Sequence, residues 1–108
     1  MKKDVKKLLT SRGAKWFMPV PTGWSENAVD FIVCYKGKYV TIETKVHPRK
    51  ATALQMDFLC DIVIAGGSAV LAYDLEEVVS MLIVVDDGCI YVSTAVHINV
   101  ERRRQEKC

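Results

Sequence analysis

The chain has 108 residues and a formal net charge of +2, with half its residues hydrophobic and about a quarter charged. That is an ordinary globular composition, enough for one domain and not two, and its global charge argues nothing about nucleic acid. No run approaches the roughly 18–20 apolar residues of a membrane span, the basic start lacks a signal-peptide core, and the cysteines at 34, 60, 89 and 108 show neither zinc spacing nor a disulfide framework; a soluble protein of a reducing, cytoplasmic compartment is expected.

In chain order, Lys2 to Ser11 reads as a helix, with Val5, Leu8 and Leu9 on one face and Gly13 as its stop. Trp16 to Val20 is β-like, limited to a short or edge strand by Pro19. Residues 21–27 form a loop rich in turn formers. Two apolar β-type runs follow, 30–35 and 38–45, joined at Lys36-Gly37, with Cys34 read as a core residue. Val46 to Ala51 is a basic connection broken by Pro48. Thr52 to Ala65 is the clearest helix: Thr52 and Gln55 make a capping box, Leu54, Phe58, Leu59, Ile62 and Val63 form an apolar face that leaves Cys60 in the core, and Gly66-Gly67 ends it. Ala69 to Tyr73 is a strand buried on both faces. Asp74 caps a helix from Leu75 to about Leu82, with Val78, Val79 and Leu82 inward.

Beyond Leu82 the pattern reads as β-rich. Asp86-Asp87-Gly88 suits a tight turn between Ile83–Val85 and Cys89–Val92, and Val96, Ile98 and Val100 alternate as in a strand. A charged tail, 101–108, closes the chain. The order predicts an α/β domain of the α+β kind, a mixed sheet flanked by helices, with a core at about 1–82 and a β-rich extension at 83–100.

Within the hairpin, Asp30 and Glu43 stand where a strand does not favour carboxylates. With a two-residue loop at Lys36-Gly37, opposed residue numbers sum to 73, so Asp30 faces Glu43 on one side of the sheet. A three-residue loop would break that geometry unless a bulge restored it. Alternation adds Lys45 to the same face and turns the Thr44 side chain away. Two opposed acids repel, and a divalent cation between them reverses the sign. Lysine beside two acids suits a site that binds both a metal and a phosphate. A salt-bridge ladder is the structural alternative.

Asp30, a hairpin and then Glu43-Thr44-Lys45 resembles the PD-(D/E)XK nuclease motif, and the αβββαβ order is similar to that restriction-endonuclease-like core. The early helix ending at Gly13, the 23–27 loop, the Asp30-Phe31-Ile32 start and the Thr52 to Gln55 helix opening resemble a small virus-type replication-repair nuclease domain (VRR-NUC) of the stand-alone phage type. The resemblance covers about residues 1–82 and departs from the pattern in two places: Val29 stands where a proline is usual, and only Asp4 is available for the first-helix acid.

What it implies is a Mg²⁺- or Mn²⁺-dependent DNA endonuclease without an organic cofactor. By the resemblance, Asp30, Glu43 and the Thr44 main-chain carbonyl would ligate the metal. Lys45 would act on the attacking water and the phosphate, Gln55 would support the site, and Asp4 would ligate the metal or hydrogen-bond a group that does. Ser25, Asn27, His47, Arg49 and Lys50 would contact DNA. The implied substrate is branched or Holliday-junction DNA cut by a homodimer, with 83–100 as the expected interface. A nickase, a flap or single-strand nuclease, and a catalytically silent DNA-binding module are the alternatives.

Overall fold

The computed structural model describes residues 1–20 and 29–106. In chain order its elements are α1 (Lys2–Ser11), β1 (Lys15–Phe17), β2 (Phe31–Tyr35), β3 (Lys38–Thr44), α2 (Ala53–Ile64), β4 (Ser68–Ala72), α3 (Leu75–Asp86) and α4 (Thr94–Glu106). The four strands form one mixed sheet in the order β1-β2-β3-β4, antiparallel for the first three and parallel between β3 and β4. The mixed α/β class expected from the sequence is the architecture observed.

The β2–β3 hairpin sets the register of everything near the carboxylates. Lys36 (φ 50) and Gly37 (φ 77) both take positive φ, as a two-residue type I′ turn demands. Tyr35 then faces Lys38 and Phe31 faces Ile42, so opposed numbers sum to 73 as anticipated. The turn is held from outside by Asp86, which accepts from the Tyr35 hydroxyl (2.7 Å) and pairs with Lys36 (2.7 Å). The crossover through α2 brings β4 parallel to β3, with Glu43 opposite Leu71 and Thr44 opposite Ala72.

Helices cover both faces of the sheet. On one side Val5 and Leu9 of α1 and Val78, Met81, Leu82 and Val85 of α3 pack on Phe31, Val33, Val40 and Ile42. On the other, Leu59 and Cys60 of α2 and Val96 and Val100 of α4 pack on Val29, Ala69 and Leu71. β4 is buried along its whole length, as a strand covered on both faces must be. Trapping apolar surface on both faces is what holds a chain of this size together.

The core departs from the expected one in a few side chains. Cys34 is exposed rather than buried, because in β2 it alternates with the inward Val33 and Tyr35. Leu54 is also exposed, since α2 turns Leu59 and Cys60 inward. Val79 is only half-buried, the inward stripe of α3 being Val78, Met81, Leu82 and Val85.

The C-terminal part is a correction to the β-rich extension. α3 runs on through Ile83–Val85 to Asp86, and Gly88 (φ 84) is its stop rather than the tip of a hairpin. Gly88 N–H donates to the Val85 carbonyl (2.9 Å) and Cys89 N–H to that of Val84 (3.2 Å), the paired bonds of a glycine-terminated helix. Val96 and Val100 are one helical turn apart on the buried side of α4, while Ile98 is exposed. Most of the charged tail is helical too, through Glu106. Only Val92 contributes β-character, in an isolated parallel bridge to Ala69.

That bridge is pinned by side chains. Ser93 Oγ accepts from Leu71 N–H (2.8 Å) and donates to Glu77, while Ser68 Oγ accepts from Tyr91 N–H (3.0 Å). The Tyr91 hydroxyl donates to the same Glu77 carboxylate (3.0 Å), and burial together with that carboxylate pushes its pKa up to about 12. No described helix is long and apolar enough to cross a membrane.

Candidate metal and phosphate site

The hairpin's open end, the start of α1 and the start of α2 meet at the end of β3. Between them lies a cleft of about 590 Å³ lined by Met1, Lys2, Lys3, Asp30, Glu43, Thr44, Lys45, Val46, Arg49 and Gln55. Each arrives for a local reason. Glu43 is held by the β3–β4 ladder, and Lys45 by its N–H donating to the Ala72 carbonyl (2.9 Å) just past the strand. Gln55 sits in the first turn of α2, where Thr52 caps the helix. Asp30 lies at a bend immediately before β2.

Asp30 is held through both of its oxygens and Glu43 through one. Asp30 Oδ2 accepts from the Thr44 N–H (2.9 Å) and from the Thr44 hydroxyl (2.6 Å). Its other oxygen, Oδ1, lies 3.2 Å from the Lys2 ammonium. Glu43 Oε2 lies 3.3 Å from the Lys45 ammonium, and Glu43 Oε1 is buried with no hydrogen-bond partner among the described residues. The Glu43 side chain is only 4% exposed. Burial, and then the Asp30 charge, push its carboxyl pKa up, against the downward pull of Lys45 and of the Asp30 backbone. A buried carboxylate with one orphan oxygen costs free energy in the folded chain.

The Thr44 side chain corrects the sequence reading. Alternation along β3 turns it off the Glu43 face, but Asp30 has left the strand at its bend and reaches the Thr44 hydroxyl. Strand parity does not govern a residue just beyond the last ladder pair.

Of the other predicted residues, Arg49 lines the cleft, whereas Asp4, His47 and Lys50 are exposed and do not. Asp4 is carried on the solvent side of α1, while Val5 and Leu9 face the core. His47 stacks on Tyr73 (centroids 4.2 Å apart, planes at 17°), and the Tyr73 hydroxyl donates to the Arg49 carbonyl (2.7 Å). Tyr73 thereby braces the connection that carries Arg49, a role with no sequence signal beyond its place at a strand end. Ser25 and Asn27 lie outside the described residues.

Gln55 has both of its anticipated positions at once. Its Oε1 accepts from Thr52 N–H (2.9 Å), closing the capping box. That leaves the amide nitrogen as the group with donors still to give.

Sequence reasoning missed Lys2 and Lys3. The first turn of α1, assigned to supply an acid, brings lysines to the cleft instead. With Lys45 and Arg49 they set four cations around two carboxylates.

No family model, curated protein or solved structure matches the chain.

The donor set can be tested against a metal on chemistry alone. Among the described residues no three His, Cys, Asp or Glu side chains cluster as ligands. Mg²⁺, however, keeps several waters and is commonly held by one or two carboxylates plus substrate phosphate oxygens. Asp30 Oδ1, the orphan Glu43 Oε1 and the Thr44 carbonyl are hard oxygen donors of that kind. The surplus of cations suits the phosphate half of such a ligand set.

Proposed function

We propose that the chain is a metal-dependent DNA endonuclease that hydrolyses phosphodiester bonds at the cleft. The observation that carries this reading is the orphan Glu43 Oε1, buried beside Asp30 in a cleft ringed by Lys2, Lys3, Lys45 and Arg49. A purely structural ladder of salt bridges leaves that oxygen without purpose, because a buried acid is tolerable only when both its oxygens are satisfied.

When bound there, Mg²⁺ or Mn²⁺ supplies charge neutralisation and an acidified water. The chain's own groups do the rest. Asp30 and Glu43 would hold the cation, with Thr44 fixing the Asp30 rotamer through two hydrogen bonds. Lys45, anchored by its backbone to β4 and by its ammonium to Glu43, would orient the attacking water and take up negative charge on the phosphate. Arg49 and Lys3 hold flanking phosphates, and the Gln55 amide donates to one of their oxygens.

Branched DNA is the substrate this reading favours, and a homodimer is its natural form, since paired cuts in a four-way junction need two sites about a two-fold axis. The dimer contact no longer has a β-rich extension to draw on; of the α4 apolar residues, Val96 and Val100 are buried and Ile98 is exposed. Size-exclusion chromatography with light scattering is expected to give twice the chain mass. A monomer at assay concentration removes the two-cut geometry.

The activity is tested on one gel with synthetic junction, flap, nicked and linear DNA. Wild type is expected to cut with Mn²⁺ or Mg²⁺ and not with chelator, and Asp30→Asn and Lys45→Ala to lose at least about a hundredfold in rate. Cleavage that persists in chelator, or survives both substitutions, rejects the mechanism.

A further inference from the structure

The cleft contains a cation of its own. Lys2, from the first turn of α1, places its ammonium 3.2 Å from Asp30 Oδ1, the oxygen that Thr44 leaves open. Resting on the metal-dependent reading above, we propose that Lys2 is a positioning residue that links metal binding to DNA binding. Its ammonium neutralises Asp30 while the cleft is empty, is displaced by the divalent ion, and then turns to a backbone phosphate of the DNA.

Three features support the exchange. A divalent ion ligated by Asp30 Oδ1 needs the oxygen that Lys2 faces, and the two cations repel at that distance. The Lys2 side chain is 54% exposed on the rim of the cleft, so the long flexible stem can swing without disturbing the core. Lys45 differs: it is 14% exposed, fixed to Glu43, with its backbone tied to β4. The cleft therefore has one lysine built to stay and one built to move.

The thermodynamic consequence is reciprocal. If metal frees Lys2 for phosphate, phosphate drawing Lys2 away must raise metal affinity by the same factor. An exposed ion pair sets the scale, a factor of about three to five.

The test measures Mn²⁺ binding from the paramagnetic resonance signal of free Mn²⁺, without DNA, for wild type, Lys2→Met, Lys2→Arg and Asp30→Asn. Lys2→Met is expected to bind Mn²⁺ about three to five times more tightly than wild type, Lys2→Arg to behave as wild type, and Asp30→Asn to bind much more weakly. A second measurement uses fluorescence anisotropy of a labelled four-way junction in the Lys45→Ala background, read before the slowed cleavage consumes the DNA. There Mn²⁺ is expected to tighten DNA binding about threefold more with Lys2 than with Met at that position.

Lys2→Met binding Mn²⁺ no more tightly than wild type overturns the role of Lys2 and leaves the nuclease reading standing. Wild type with no Mn²⁺ affinity, or with affinity indifferent to Asp30→Asn, overturns both, and that result is distinct from the first. Because Lys2 is on the exposed first turn, Lys2→Met and Lys2→Arg are expected to melt cooperatively within a few degrees of wild type, and a cooperative melt of Asp30→Asn separates its loss of Mn²⁺ from misfolding.

Discussion

Glu43→Gln is expected to abolish metal-dependent cleavage, by about 10³-fold or more, while making the metal-free protein more stable at neutral pH. The loss follows from the oxygen that changes. Glutamine replaces one carboxylate oxygen by an amide nitrogen, which cannot ligate a hard cation and carries no charge to offset it. Several kcal/mol of transition-state stabilisation depend on such a ligand. The gain follows from charge: burial and the nearby Asp30 both oppose an ionised Glu43, and glutamine removes that charge. The amide oxygen can still accept from Lys45. A gain of about 1 kcal/mol corresponds to roughly 4–8 °C in melting temperature for a domain of this size.

The pH dependence has a definite sign. A carboxyl whose pKa is raised by folding binds its proton more tightly folded than unfolded. Its stabilising effect is complete below the unfolded value and is lost as pH rises through the raised folded value. Asp86, held low by Lys36 and Tyr35, has the opposite sign: its contribution is present above the unfolded carboxylate range and is lost as pH falls through its depressed value. Comparing wild type with Glu43→Gln at each pH cancels Asp86 and isolates Glu43. The variant's advantage is expected to shrink as pH drops through the carboxylate range, in thermal melts run with chelator. A variant less stable than wild type at neutral pH would make the Glu43–Lys45 pair a structural salt bridge, and the functional reading would lose its main support.

The site was half legible in the sequence, and the boundary is physical. Strand periodicity and a two-residue turn are local rules, so the 73-sum register, and with it the neighbourhood of Asp30 and Glu43, could be worked out from residue types. The approach of Lys2 could not. It depends on where α1 crosses the sheet, which Val5 and Leu9 decide by packing against residues far along the chain. The same docking turned Asp4 to solvent, so the acid sought in that helix is not in the cleft. Thr44 was lost differently: parity was applied one residue past the end of the ladder, where Asp30 no longer obeys it.

The fold was legible wherever two signals agreed. α2 had a cap and a glycine stop, and both are present, while its inward face is shifted, with Leu59 and Cys60 buried and Leu54 exposed. Past Leu82 the signals conflicted. An Asp-Gly pair fits a hairpin tip and equally the end of a helix, and three β-branched residues at alternate positions can belong to either period. What decided it was tertiary. Val96 and Val100 bury together against Cys60 and Leu71 while Ile98 between them is exposed, which helical spacing allows and strand alternation does not, and the hydroxyls of Ser93 and Tyr91 find Glu77 on α3. Intrinsic strand preference yields when packing and buried hydrogen bonds favour the other conformation.

The connection between core and site gives the other large effect: Phe31→Ala is expected to cost about 3–5 kcal/mol of stability. Phe31 is fully buried, opens β2, and meets the Trp16 ring edge-on at 5.7 Å. Alanine leaves a cavity between α1, α3 and the sheet that their helical backbones cannot close, out of a total stability of about 5–15 kcal/mol. Urea unfolding would show a midpoint shift with little change in slope. The site suffers with the core, because Phe31 is the residue next to Asp30 and pairs with Ile42, the residue next to Glu43. Loosening that pair frees the two carboxylates to drift apart, so Mn²⁺ affinity is expected to fall even at temperatures where Phe31→Ala is still folded. Phe31→Leu, which keeps most of the volume, should lose less than about 2 kcal/mol and retain metal binding. Stability loss without loss of Mn²⁺ affinity in the folded alanine variant would show that Asp30 is placed by Thr44 alone, through its two hydrogen bonds, and that the ring contributes only to the core.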